Sequence, residues 1–178
     1  MLFRSDHGGL QAGQRVLILG ASGGVGLFAV QFARWKGAHV LGTTSTANVE
    51  FVRSLGAETV IDYTSTAVEQ VVHDVDLVVD TVGGKALEAA LSTLKRGGTI
   101  VSIAGRVSPE KAQELGINAV GMSAVVSSEL LQEFTRLIDG GQVEVFVQRV
   151  FSLDAAAQAQ ELSQGGHGRG RIVLHIAD

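Results

Sequence analysis

Short, continuous apolar segments alternate with helical patterns along most of the chain, and this alternation limits the fold more than any other feature. Segments rich in Val, Ile and Leu occupy Val16–Leu19, His39–Thr43, Thr59–Ile61, Leu77–Asp80, Thr99–Ile103 and Ile117–Val120. Strands that are buried on both faces have this composition. Helical patterns follow them over Gly24–Lys36, Ala47–Leu55, Thr66–His73, Lys85–Leu94, Pro109–Leu115 and Ser127–Asp139. Six successive strand–helix units predict an α/β fold with a doubly wound parallel sheet.

Glycines and basic residues mark the predicted helix ends. Gly56 follows the second helical pattern and is expected to terminate it at Leu55. Lys95 and Arg96 precede two glycines and are expected at the carboxyl end of the fourth helix, where its dipole favours positive charge.

The last part of the chain breaks this rhythm. Residues Glu144–Phe151 alternate, Asp154–Ser163 form a helical pattern with Asp154 as its expected N-cap, and Arg171–Ile176 form another strand. A doubly wound domain does not need this β-α-β tail. We therefore predict two regions, a sheet domain at residues 1–142 and a tail at residues 143–178.

The composition excludes several classes of protein. The chain has 178 residues, of which 46% are hydrophobic and 18% charged, as in globular domains. A net charge of −4 argues against a nucleic-acid partner, and no apolar run approaches the roughly 18 residues of a membrane span. Cysteine is absent and the five histidines are scattered without ligand spacing, which predicts no metal site. The lack of cysteine and of a leader-like start fits a cytoplasmic location.

The turn after the first predicted strand reads GASGGVG (Gly20–Gly26) and leads directly into a helix. Early glycines in such a turn let the backbone approach a pyrophosphate, and the last one lets helix and strand pack closely. The phosphates then meet the N–H groups at the positive end of the helix dipole. Although Ala21 departs from the usual G-x-G-x-x-G pattern, the turn predicts a dinucleotide-binding Rossmann fold. It is not a P-loop, because no G-K-[ST] ending follows.

The second strand bears on the choice of dinucleotide. NAD-binding domains usually place an acid there for the adenosine ribose. In this chain the strand runs into Thr44 and Ser45, and the first acid is Glu50, inside the next helix. This favours NADP(H), with NAD(H) as the alternative, because a hydroxyl-rich loop does not repel a 2′-phosphate. The nearest basic residue, Arg53, is expected on a solvated helix face.

Five phrases together resemble a known family: AGQRVLILGASGGVGLFAVQFARWKGAHV, RSLGAETVIDYT, DLVVDTVGG, LKRGGTIVSIAG and GRGRIVL. In this order they are similar to the nucleotide-binding part of medium-chain dehydrogenase/reductases. The closest group is the zinc-independent NADPH quinone oxidoreductases and enoyl reductases, which are zinc-type alcohol dehydrogenase-like proteins. The resemblance runs from about Leu10 to Ile176.

The resemblance implies roles for particular residues. The pyrophosphate would be held by Ser22, Gly23, Gly24, Val25 and Gly26. The 2′-phosphate would be surrounded by Thr44, Ser45, Asn48 and Tyr63, although many relatives have Lys at the position of Asn48. The remaining cofactor contacts would come from Thr81, and from Ala104, Gly105, Met122, Ser123 and Ala124 beside the nicotinamide. Asp80 is expected to orient its turn, and no catalytic residue is assigned.

The resemblance also implies what the chain does. Relatives insert this domain into a GroES-like catalytic lobe, most of which would precede Val16, so we expect that lobe to be missing and the chain alone to be inactive. The whole enzyme would transfer hydride between NADP(H) and a small quinone, enone or related carbonyl substrate, without zinc. The relatives' pairing through the edge strand implies a homodimer. The alternatives are a non-catalytic NADP(H)-binding redox sensor and, less favoured, an S-adenosylmethionine-dependent methyltransferase.

Overall fold

A six-stranded parallel sheet forms the centre of the molecule. The computed structural model describes residues 8–121, 127–166 and 168–177. The strands are β1 (Arg15–Leu19), β2 (His39–Thr44), β3 (Thr59–Asp62), β4 (Val75–Asp80), β5 (Leu94–Ser102) and β6 (Asn118–Gly121). Their order is β3-β2-β1-β4-β5-β6, so the chain winds outward in one direction from β1 and then in the other from β4. The prediction of a doubly wound parallel sheet is confirmed.

Helices cover both faces of this sheet. They are α1 (Gly26–Trp35), α2 (Val49–Ser54), α3 (Val68–Val71), α4 (Gly84–Leu91), α5 (Pro109–Leu115) and α6 (Ser128–Asp139). Successive side chains of β1 belong to opposite layers: Val16 and Ile18 pack with α1, whereas Leu17 and Leu19 pack with α4. Both faces are therefore buried, which explains why the strand is continuously apolar.

The boundary between α4 and β5 differs from the prediction. The helix ends at Leu91 rather than Leu94, and Lys95 and Arg96 lie on β5 instead of at a helix end. Lys95 forms an ion pair with Asp76 on β4, across an irregularity in the strand pairing. This ion pair between two strands stabilises β5 from Leu94 onward, earlier than the predicted start at Thr99. Sequence propensity does not reveal such a contact. The predicted end of α2 is confirmed, since Gly56 follows Leu55 with φ +103°.

The tail forms a second, smaller sheet. Strands β7 (Val147–Ser152) and β8 (Arg171–His175) pair in parallel, with α7 (Ala156–Gln164) between them. Asp154 is not the N-cap of α7, because a 3-10 turn over Leu153–Ala155 precedes the helix and Ala155 takes the cap position. The division into domains after residue 142 stays a prediction. No helix in the described ranges is long and apolar enough to cross a membrane.

Gln31 on α1 attaches the beginning of the tail to the sheet domain. Its side-chain amide donates to the carbonyl of Glu144 at 3.1 Å and accepts from the Glu144 N–H at 2.7 Å. The ring of Phe146 lies 4.8 Å from the ring of Phe51 on α2. These contacts hold the tail against α1 and α2, near the carboxyl ends of β1 and β2.

Candidate dinucleotide-binding site

A cavity of about 630 Å³ opens at the carboxyl ends of β1, β2 and β4. This is the point where the strand order reverses, and α/β sheets usually bind ligands there. The volume lies within the range of ordinary small-molecule sites. Its walls come from the glycine turn, from the loops after β2, β3 and β4, and from the tail.

The glycine turn forms the floor of the cavity. Gly20 has φ +69°, which favours glycine, and its carbonyl accepts the N–H of Gly23 at 3.0 Å. A Cβ on Gly26 would lie 2.8 Å from the Cα of Ala21 and closer still to the Gly20 carbonyl oxygen. Glycine at position 26 therefore lets α1 begin directly against the turn. No side chain caps α1 at its N-cap Val25, so no side chain competes with an anion for the positive end of this helix dipole, although the N–H of Leu27 already donates to the Gly23 carbonyl at 3.0 Å.

Hydroxyl and amide groups line one end of the cavity. The Thr44 hydroxyl donates to the Ser22 hydroxyl at 3.0 Å. The side-chain amide of Asn48, which is buried, donates to Ser45 at 3.3 Å and to Ser22 at 3.4 Å. This end of the cavity brings together four predicted site residues, none of which is acidic.

Arg169 reaches this polar end from the tail. Its Nε donates to the Oδ1 of Asn48 at 2.6 Å, and its terminal nitrogen donates to the carbonyl of Ala47. Its guanidinium also lies 5.6 Å from the centre of the Phe51 ring. Sequence reasoning missed this residue, although it lies inside the GRGRIVL phrase. Arg53, the nearest basic residue in sequence, instead pairs with Glu50 at 2.5 Å on the exposed side of α2.

The loop after β3 forms an adjacent wall. The backbone N–H of Tyr63 donates to the carbonyl of Thr44 at 3.1 Å, and the Tyr63 side chain is half exposed at the cavity. Asp62 links this loop to the loop after β2, because it accepts from Thr46 at 2.6 Å and from Thr64 at 2.7 Å. These hydrogen bonds lower the pKa of Asp62 below its ordinary value, and the bond from Thr46 has the largest effect.

The opposite wall comes from the loop after β4 and from α4. The Thr81 hydroxyl donates to the Leu19 carbonyl at 2.7 Å and fills the space that a Cβ on Gly20 would need. Apolar side chains of Val68, Ala86 and Ala89 also line the cavity. These side chains provide an apolar surface that suits an aromatic ring.

The predicted site residues fall in several places. Seven of them line this cavity: Ser22, Gly23, Thr44, Ser45, Asn48, Tyr63 and Thr81. Gly24 faces the tail, where its Cβ would lie 3.2 Å from the Gly170 carbonyl oxygen. Val25 and Gly26 form the start of α1.

The three predicted residues Met122, Ser123 and Ala124 lie outside the described residues. Gly105 lines a second cavity of about 560 Å³ at the ends of β5 and β6, and Ala104 is exposed in the same loop.

The family model for zinc-binding dehydrogenases matches residues 55–174, more than half of the chain. The chain belongs to this family. The zebrafish NAD(P)H oxidoreductase RTN4IP1, which is mitochondrial, is 35% identical over 94% of this chain and 50% of its own length. The quinone oxidoreductase from Coxiella burnetii is 32% identical, with a TM-score of 0.88 over 96% of this chain and 55% of that one. The Escherichia coli quinone oxidoreductase complexed with NADPH is 25% identical, with a TM-score of 0.89 over 98% and 60%.

These comparisons confirm the resemblance to medium-chain dehydrogenase/reductases of the quinone oxidoreductase kind. The relatives are named as oxidoreductases. The chain spans about half of their length. Within the described ranges, no group of three or more His, Asp or Glu side chains could hold a metal ion. Independence from zinc stays a prediction for the whole protein.

Proposed function

We propose that this chain is the NADP(H)-binding domain of an oxidoreductase that transfers hydride between nicotinamide and a quinone, enone or related carbonyl acceptor. The observation that carries the proposal is the hydrogen bond from Arg169 to Asn48, which lines a polar cavity end where β2 runs into Thr44 and Ser45 rather than an acid. Guanidinium groups bind phosphates with paired, charge-assisted hydrogen bonds. The relative whose structure is named as an NADPH complex supports the choice of cofactor.

The residues present fit such a cofactor. The close approach of α1 to the glycine turn leaves room for a pyrophosphate at the amino-terminal end of α1, where no side chain caps the helix. Arg169 and Ser45 would hold the 2′-phosphate, and Tyr63 would lie beside it. The bound nicotinamide supplies the hydride chemistry, while the chain's own residues bind and orient the dinucleotide.

We expect the chain by itself to bind NADP(H) and to turn over little or no substrate. It spans about half the length of its relatives, and the described residues contain the dinucleotide cavity. Substrate recognition would require the part of the relatives that this chain does not cover.

We also propose a homodimer through β6, because this strand is an edge of the six-stranded sheet and its outer backbone groups could pair with those of another copy. A cytoplasmic location is proposed from the absence of cysteine.

Calorimetric titration of Arg169→Ala with NADPH and NADH tests the cofactor assignment. A hydrogen bond to a charged group contributes about 1.5–3 kcal/mol, so the variant should bind NADPH at least tenfold more weakly than the unmodified chain. Its affinity for NADH, which has no 2′-phosphate, should change little. Arg53→Ala is the matched control, because it removes the same charge from the exposed side of α2.

Two results would contradict the proposal. Equal weakening of NADPH and NADH by Arg169→Ala would mean that the arginine does not recognise the 2′-phosphate. If the unmodified chain bound neither dinucleotide at millimolar concentration, the cofactor assignment itself would be wrong.

A further inference from the structure

The loops that follow β4 and β5 pack directly against each other. The first loop, at residues 81–83, contributes Thr81 and Val82 to the wall of the larger cavity. The second loop, at residues 103–105, contributes Gly105 to the smaller cavity. A Cβ on Gly83 would lie 2.5 Å from the carbonyl oxygen of Ala104, so the two backbones meet with no side chain between them.

Asp80 holds the first loop through hydrogen bonds to its backbone. It is fully buried at the end of β4. One carboxylate oxygen accepts the N–H of Val82 at 2.9 Å and that of Gly83 at 2.8 Å. The other oxygen accepts the hydroxyl of Ser102 at 2.5 Å. A buried carboxylate is stable only with such donors around it, so these three groups hold one another in place.

Ser102 extends the same network into the second loop. While its hydroxyl donates to Asp80, its oxygen accepts the N–H of Gly105 at 2.9 Å and that of Ala104 at 3.3 Å. The backbone N–H of Ile103 also donates to the carbonyl of Asp80 at 3.0 Å. One hydroxyl thus connects a loop of the larger cavity to a loop of the smaller one.

The consequence for a ligand depends on its length. A ligand that fills only the larger cavity contacts the loop at residues 81–83, which Asp80 also holds through Val82 and Gly83, and does not contact the loop at residues 103–105. A ligand that spans both cavities needs the two loops in a fixed relation, because an error of about 1 Å at one end weakens the contacts there.

We propose that Ser102, held by Asp80, is a positioning residue that fixes the nicotinamide half of the cofactor site relative to the adenosine half. This inference rests on the proposed function, since it takes NADP(H) as the ligand that spans both cavities. Ser102 acts through the loop that it orders, and it takes no part in hydride transfer.

Titrating the full chain with two ligands tests the role of Ser102. NADPH is the dinucleotide, and 2′,5′-ADP carries only its adenosine, 2′-phosphate and 5′-phosphate. Ser102→Ala should weaken NADPH about tenfold and 2′,5′-ADP less than twofold. The fluorescence change of NADPH on binding, which reports on the nicotinamide, should also decrease. Ser102→Thr keeps the hydroxyl and should restore both quantities.

Controls separate positioning from a general structural role. Ser92→Ala removes an exposed hydroxyl at the carboxyl end of α4 that donates to the Ala89 carbonyl at 2.9 Å, and it should leave both affinities unchanged. Thermal unfolding of each variant shows whether it is folded. If Ser102→Ala does not fold, Ser102→Cys, whose thiol is a weaker donor, should show a smaller loss that is again confined to NADPH.

Several outcomes would overturn the inference. Equal losses for both ligands, no loss for either, or failure of Ser102→Thr to restore NADPH binding would each show that Ser102 does not position the nicotinamide half. If the unmodified chain bound neither ligand, the proposed function would fail and this inference with it. If it bound both ligands normally and only the selectivity of the Ser102 variants were missing, the proposed function would stand and this inference alone would be wrong.

Discussion

Replacing Gly26 with alanine tests the close packing of α1 on the glycine turn, on which the proposed phosphate site depends. The added methyl would lie 2.8 Å from the Cα of Ala21 and from the carbonyl carbon of Gly20. These are backbone atoms, which cannot rotate away as a flexible side chain would. Either α1 moves away from the turn or the turn opens.

The expected loss of stability follows from two opposing effects. Alanine in a helix is favoured over glycine by about 1 kcal/mol. Carbon atoms normally approach to about 3.5 Å, so the methyl is about 0.7 Å too close to two backbone carbons and overlaps the Gly20 carbonyl oxygen still more, and overpacking of this kind costs about 3 kcal/mol or more. The net result for Gly26→Ala is a decrease of at least about 2 kcal/mol in the free energy of unfolding. For a domain of this size, that corresponds to a decrease of roughly 4–8 °C in Tm.

Urea unfolding followed by circular dichroism measures this difference. Gly121→Ala is the matched control, because no heavy atom of the described residues lies within 4 Å of its Cβ position and its φ is not left-handed. It should change the free energy of unfolding by less than about 0.5 kcal/mol. Gly26→Ala should also bind NADPH more weakly, since the turn that faces the phosphates is displaced. If Gly26→Ala were as stable as the control, the close approach of α1 to the turn would be wrong.

Further predictions concern acid stability, helix capping, the core and association. Hydrogen bonds from Thr46 and Thr64 lower the pKa of Asp62 from its ordinary 3.8, so this stabilisation is present above that pH and lost as the pH falls below it; Asp62→Asn should flatten the dependence of Tm on pH below about 4. Ser108→Ala, which removes the N-cap of α5, should lower the free energy of unfolding by about 1 kcal/mol in urea melts. Leu17→Ala, in a fully buried position on β1, should lower it by about 2–5 kcal/mol in the same assay. Light scattering should give twice the mass of one chain, and a monomer at micromolar concentration would contradict pairing through β6.

Local patterns in the sequence predicted most of the secondary structure. Continuous apolar runs located all six strands of the large sheet. The helix predicted at Pro109–Leu115 has the same bounds in the structure. The error at the start of β5 arose where a contact between two strands decided the outcome. Lys95 has the charge expected at a helix end, yet its ion pair with Asp76 places it on β5.

The sequence by itself determined the doubly wound sheet and the glycine turn, because burial on both faces and freedom at φ are properties of the residues at those positions. It also located the polar cavity end near Thr44 and Asn48. Only the tertiary structure decided which cation lies there. Arg53 is close in sequence but pairs with Glu50, whereas Arg169 lies 121 positions beyond Asn48 and reaches it because the tail docks on α1 and α2. Such a contact depends on how separate elements pack, which no local pattern contains.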